Sequence, residues 1–426
     1  MEKSSRMTFC IVFIASIFMF ISPFQMKAHS VTDEGVLILT NETEMVDLYE
    51  VMYILSDNET KLSVYDIASG AQDGSFYPAE QFPTKFGFFD IAKWIKFKIE
   101  NSTDLNEWYV EFAFPLIYQI HLYEESSDGI TKLVTGGAHF PFAERELYHR
   151  FFVYSLDIPP GETRTFYARV HGGADLHPPI RFWHKDSFVE ASHTESGYLG
   201  IFYGMIVVMI VYNLFLYISL RIRTYLFYVL SIFFTLLAQL ALNGLGFKYL
   251  WPTFPAWNTM AVPFLASTAF IFIILFTRDF LDTEKHARIF HKLSYTFISL
   301  HVLTIILLFI EHYAALNVML CSAFITSSSV IVTSIICLFR GVREARFFIV
   351  GWFIFLGGVG ITILERAALI PYSLFTEYAG QWALSIEVVI LSFALADKIN
   401  IIRKEKERVA QAARRSQELV VESLQK

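Results

Sequence analysis

The chain has 426 residues, 54% of them hydrophobic and only 18% charged, with 43 phenylalanines and a mean hydropathy of +0.44. An ordinary soluble chain is roughly a quarter charged, so this composition excludes a protein that lives wholly in water. The formal net charge of -7 averages over unlike parts and says little by itself; no nucleic-acid partner is expected.

The N-terminus reads MEKSSRMTFCIVFIASIFMFISPFQMKAHSV. Lys3 and Arg6 make a basic end, Phe9 to Ile21 an apolar stretch, and Ala28-His29-Ser30 a small-residue site. That pattern predicts a signal peptide over residues 1–30, cleaved after Ser30. An uncleaved anchor helix is the alternative, and either one exports the region beyond residue 30. No cysteine lies between residues 30 and 200, so no disulfide frames that region.

Residues 31–195 carry short runs such as KWIKFKIEN (93–101), EWYVEFAF (107–114), YQIHLYEE (118–125), FFVYSLDI (151–158) and TFYARVHG (165–172). Near-alternation of apolar and polar residues fits half-buried strands, and Asn/Ser/Asp/Gly/Pro clusters separate them. The spacing predicts an exported antiparallel β-sandwich, with Trp94 and Trp108 in its core. No nucleophile elbow or metal-ligand spacing occurs, so neither catalytic residues, nor a metal, nor a cofactor is expected. His171, His177 and His184 read as loop or edge residues. A binding module is the better reading, with Arg145, His177, Arg181 and Trp183 as candidate ligand contacts: aromatic plates and donors that a small polar ligand needs.

From Tyr198 onward seven apolar segments approach the length a bilayer core requires: 198–220, 224–246, 257–277, 291–310, 314–339, 347–370 and 374–397. After spans one, three and five lie Arg221 and Arg223; Arg278, Lys285, Arg288 and Lys292; and Arg340, Arg343 and Arg346. After spans two, four and six lie only Lys248 and Arg366. This skew predicts odd-numbered loops and the C-terminus in the cytoplasm, with the β-domain outside. Asn213, Gln239, Asn243, His301, Gln381 and Glu387 are polar groups at membrane depth, expected to face the bundle interior and bond to one another. Glu387 reads either as a switch element or as a structural carboxyl. Gly351, Gly357, Gly358 and Gly360 give span six a small-residue face.

Beyond span seven, residues 398–426 continue as helix-forming sequence. Ile402, Val409, Ala412, Ser416, Leu419 and Ser423 approximate a weak heptad seam, the pattern of a coiled-coil signalling helix in a homodimer. Lys398, Arg403, Lys404, Lys406 and Arg408 are placed to meet anionic lipid heads. No catalytic module is read before Lys426, so the protein is expected to be no enzyme itself, its effector being either absent or supplied by a separate cytoplasmic partner.

The segment YLGIFYGMIVVMIVYNLFLYISLRIRTYLFYVLS, then TRDFLDT (277–283), REARFFIVGW (343–352) and GQWALSIEVVILSFALADKI (380–399), resembles the bacterial seven-transmembrane receptors with diverse intracellular signalling modules, the 7TMR-DISM family. The pieces FGFFDIAKWIKFKIEN (86–101), EWYVEFAF, GGAHFPFAERE (136–146) and ARVHG are similar to that family's second extracellular domain. The resemblance implies a jelly-roll akin to carbohydrate-binding modules, taking a sugar or related small ligand. It also implies a receptor in the bacterial inner (plasma) membrane that relays binding through seven helices to an effector. The family usually appends a catalytic module, which this sequence does not display. A membrane transporter or intramembrane enzyme with an accessory exported domain is the alternative.

Overall fold

A computed structural model describes residues 30–32, 35–82, 90–126, 129–172, 179–366 and 369–424. The predicted signal peptide, apart from Ser30, lies outside the described residues, as does His177.

The N-terminal region is a two-sheet sandwich. One sheet joins β1 (Ser30–Val31), β2 (Val36–Leu39), β4 (Tyr53–Asp57), β5 (Tyr77–Pro78), β6 (Ala92–Asn101), β8 (Gln119–Ser126), β9 (Gly129–Gly136) and β11 (Thr163–His171). The other runs in the order β10 (Phe152–Asp157), β7 (Glu107–Phe112), β12 (Ile180–His184) and β3 (Met45–Asp47). Ten-residue β6 is the spine of the first sheet: one edge pairs with β11, while the other is shared by β4 along Ala92–Lys96 and β2 along Lys98–Asn101. The β2–β6 pairing is parallel, against the all-antiparallel expectation.

Alternation explains the core. Ile95, Phe97 and Ile99 of β6 face Trp108, Val110 and Phe112 of β7 in one buried cluster. Trp94 is buried on the opposite face of β6, with Val64 and Ile67 of a short helix and with Tyr167. That cover is why β6 is apolar at two adjacent positions.

Seven helices long and apolar enough to cross a membrane come next in the chain: α1 (Lys185–Leu220), α2 (Arg223–Leu242), α3 (Pro255–Phe280), α4 (Arg288–Leu307), α5 (His312–Phe339), α6 (Ala345–Arg366) and α7 (Leu374–Leu424). The sequence boundaries differ most at two places. α1 starts at Lys185, because β12 ends at His184 and passes into helix with no linker. α7 is continuous for 51 residues, joining the seventh span to the exit segment. At about 1.5 Å per residue, such a helix is about 75 Å long.

Aromatic packing holds the inner bundle: the rings of Tyr228 and Phe276 lie 4.8 Å apart and those of Phe276 and Phe348 5.5 Å apart. The expected glycine face of α6 divides in two. A Cβ on Gly358 would lie 2.4 Å from the Ala383 Cβ, whereas Gly357 and Gly360 have nothing within 4 Å. Close α6–α7 packing therefore rests on Gly358, and on Gly351 beside Glu387. Lys398, expected at lipid heads, instead donates to the carbonyls of Asp279 and Phe280, orphan acceptors at the end of α3.

Candidate functional site: a buried charge junction between β-domain and bundle

The central part of the four-stranded sheet's outer face is covered by the bundle. Met45, Tyr109, Val153 and Trp183 pack on Phe188 of α1, with Ala191 and Tyr372 at the margin. Every even-numbered interhelix connection touches the β-domain. Pro252, between α2 and α3, accepts from the Phe142 amide; His312, opening α5, bonds Tyr118 Oη at 2.6 Å; and Tyr372, before α7, lies under the Arg181 guanidinium at 4.1 Å. A second contact to α5 runs through Asp90, which accepts from Tyr313 Oη at 3.0 Å and meets His171 Nε2 at 2.8 Å. The basic odd-numbered loops lie at the far end of the bundle.

Two arginines carry the junction. Arg150 donates through Nε to Glu195 of α1 at 3.1 Å, through Nη2 to Tyr378 Oη of α7 at 2.7 Å, and through Nη1 to the Asn243 carbonyl at 3.2 Å. A second, short contact joins its Nη2 to Glu195, and Tyr378 Oη donates to the same carboxylate. Arg181 donates to Glu377 of α7 at 3.3 Å and lies 3.8 Å from Glu111 of β7. Trp183 Nε1 donates to Glu111 at 2.9 Å. Glycine is needed where the bundle meets the loop bearing Arg150: Gly244 has φ +74, and a Cβ there would lie 2.6 Å from the Arg150 carbonyl oxygen.

The charges balance in an informative way. Glu111, Arg150, Arg181, Glu195 and Glu377 are all buried. Glu195 raises the Arg150 pKa despite desolvation, and Glu377 does the same for Arg181. Glu111 is the third carboxyl for two guanidinium groups. Burial pushes it up to about 7, outweighing the nearby Arg181 cation and the Trp183 hydrogen bond. His149 lies 3.9 Å from Glu111, but burial and four cations hold its pKa well below the ordinary value, so the contact is to a neutral imidazole. With Glu111 protonated, two cations face two anions; deprotonation leaves one uncompensated negative charge in a buried site.

Against this junction lies a cavity of about 240 Å³ lined by Arg181, Trp183, Glu111, Glu195, Tyr198 and Tyr372, among others. The buried Nε of Arg181 has no hydrogen-bond partner among the described residues. Four aromatic rings, a guanidinium and several carboxylates around one small volume can hold a compact polar molecule by stacking and hydrogen bonds.

The sequence-predicted residues separate accordingly. Arg181 and Trp183 come together on this cavity. Arg145 does not line it; its Nη1 donates to the carbonyls of His149, Arg150 and Phe151, and its guanidinium lies between the Phe142 and Phe152 rings at 4.3 and 4.2 Å. It shapes the loop that presents Arg150. Of the intramembrane groups, Asn243 and Gln381 bond each other at 3.0 Å, and Asn243 also donates to Tyr203 Oη at 2.6 Å. The others do not pair with one another as expected; Asn213 and His301 meet neighbouring hydroxyls instead. Asn213 donates to Ser392 at 2.9 Å; His301 contacts Thr326 and Ser322 and stacks on Phe270. Gln239 and Glu387 both line a separate cavity inside the bundle.

Sequence reasoning missed Glu111, Arg150, Glu195, Glu377 and Tyr378. Glu111 sits at an outward strand position and the helix carboxylates at span ends, places that ordinarily face water.

A family profile described as 7TM diverse intracellular signalling matches residues 195–398, and one described as 7TMR-DISM extracellular 2 matches residues 50–184. The chain belongs to the 7TMR-DISM family. No curated protein matches it. This 7TMR-DISM chain is therefore a multi-pass membrane protein of receptor type, with an extracellular N-terminal domain joined to seven helices.

Proposed function

We propose that this 7TMR-DISM protein is a bacterial inner-membrane receptor that takes a small polar, carbohydrate-like ligand at the junction cavity and relays its presence through α7 to a cytoplasmic effector. The observation that carries the reading is one of continuity. Glu377 and Tyr378, bonded to Arg181 and Arg150 of the β-domain, begin the same helix that runs on to Leu424. A ligand that stacks on Trp183 and engages Arg181 competes with the bonds holding that helix. It shifts the arrangement by its difference in affinity for the two states.

The skew of lysine and arginine supports a cytoplasmic C-terminus, and the heptad-like seam supports pairing of two copies. The catalytic output belongs, in this reading, to the partner effector.

The test is a binding screen of sugars and small polyols on the full chain in nanodiscs. Binding that disappears in Trp183→Ala and Arg181→Ala, while the β-domain stays folded, supports the reading. Binding indifferent to both variants excludes the junction as the ligand site.

A further inference from the structure

The bundle contains a second cavity, of about 180 Å³, between α1, α2, α3, α6 and α7, remote from the junction in its lining residues. Its walls are mainly aliphatic and aromatic, including Phe270, Phe276 and Trp352. Some of its polar groups are already committed: Ser231 Oγ donates to the Tyr228 carbonyl at 2.7 Å, and Tyr228 Oη donates to the Val388 carbonyl at 2.6 Å. Glu387 is different. It lines the cavity from α7, beside Gly351 of α6, and has no hydrogen-bond partner among the described residues. A carboxyl at membrane depth without a partner is costly, and such groups ordinarily mark a binding or conduction site.

We propose that this cavity binds a small amphipathic amine, its ammonium on Glu387 and its apolar body among the rings. The chemistry selects that class. A carboxylate takes a charge-assisted bond from an ammonium, and aromatic faces attract the same cation. The volume sets the size: an apolar cavity of about 150 Å³ accommodates benzene, so this one suits a single ring with a short arm. Glu387 lies ten residues beyond Glu377 on α7, so occupancy acts on the same helix that the junction grips. The proposal does not depend on the ligand reading of the β-domain.

The probe is phenethylamine, titrated against the full chain in nanodiscs with empty nanodiscs as the partition control. 2-Phenylethanol serves as the uncharged analogue. Saturable binding of the amine with a raised melting temperature is expected. Glu387→Gln should weaken the amine about tenfold or more while changing the alcohol little, since only the charged contact is lost. Ala269→Phe, which fills the cavity from α3, should abolish both without unfolding the bundle. No saturable binding by the folded wild-type protein overturns the proposal. So does amine affinity unchanged by Glu387→Gln or by Ala269→Phe.

Discussion

Arg150 of the β-domain and Tyr378 of the last helix share a hydrogen bond of 2.7 Å, and Glu195 of α1 accepts from both. Three chain regions far apart in sequence thus meet at one carboxylate. Alanine at position 150 leaves that carboxylate buried without its cation, a loss of about 3–5 kcal/mol. The melting temperature of Arg150→Ala in nanodiscs should fall markedly. Adding Glu195→Ala should recover part of the loss, because the stranded charge is then removed. Strict additivity of the two substitutions would argue against the network.

The junction should weaken as pH rises. Glu111 has a folded-state pKa of about 7, raised by burial from the ordinary carboxyl range. The docked protein therefore holds a proton that the undocked one releases between about pH 4.5 and about pH 7. Stability is greatest at the acid end of that window and falls through it, by up to about 3 kcal/mol. The charged neighbours Arg181, Arg150 and Glu195, and the neutral His149, all contribute to the site. Melting profiles from about pH 5 to about pH 8 should show this slope, and Glu111→Gln should flatten it.

Close contact of α6 with α7 is set at Gly358, where a Cβ would lie 2.5 Å from the Ala379 carbonyl oxygen. Gly358→Leu must force the helices apart and should sharply reduce the yield of folded protein. Gly357→Ala, with nothing within 4 Å of the added carbon, should be neutral or gain up to about 1 kcal/mol from helix propensity. Size-exclusion profiles of the two variants in detergent distinguish these outcomes.

Asn213 and Ser392 tie α1 to α7 at 2.9 Å within the bundle. Interhelical bonds of this kind average about 0.6 kcal/mol, since alternative partners exist in the membrane. Asn213→Leu should therefore lower stability only slightly, measured by denaturant titration. A collapse of the fold would show that the residue does more than this contact describes.

Much of the architecture was legible because lipid and pleat impose periodicities. The seven spans stand out by length alone, and β6, β7, β8, β10 and β11 follow their alternating runs to within a residue or two. β2 leaves no such signal, since VLIL is four residues with no alternation and pairs in parallel with β6. The junction was hardest. In β7, Tyr109 and Glu111 occupy the positions that a one-faced sheet gives to water, and the bundle covers this face through Phe188 of α1. Burial contributed by another domain leaves no local pattern. Arg181 and Trp183 are legible because their residue types suit a ligand, while Arg145 is of the same type but holds its own loop.

The central claim is that the state of the junction sets the position of the far, C-terminal end of α7. Spin labels at Lys292→Cys, on α4, and Arg408→Cys, on the exit helix, report that position directly on a cysteine-free background in nanodiscs. Breaking the junction with Arg150→Ala and Arg181→Ala together should shift or broaden the distance distribution between the labels. Superimposable distributions from the intact and broken junctions, with the bundle folded in both, would contradict the relay.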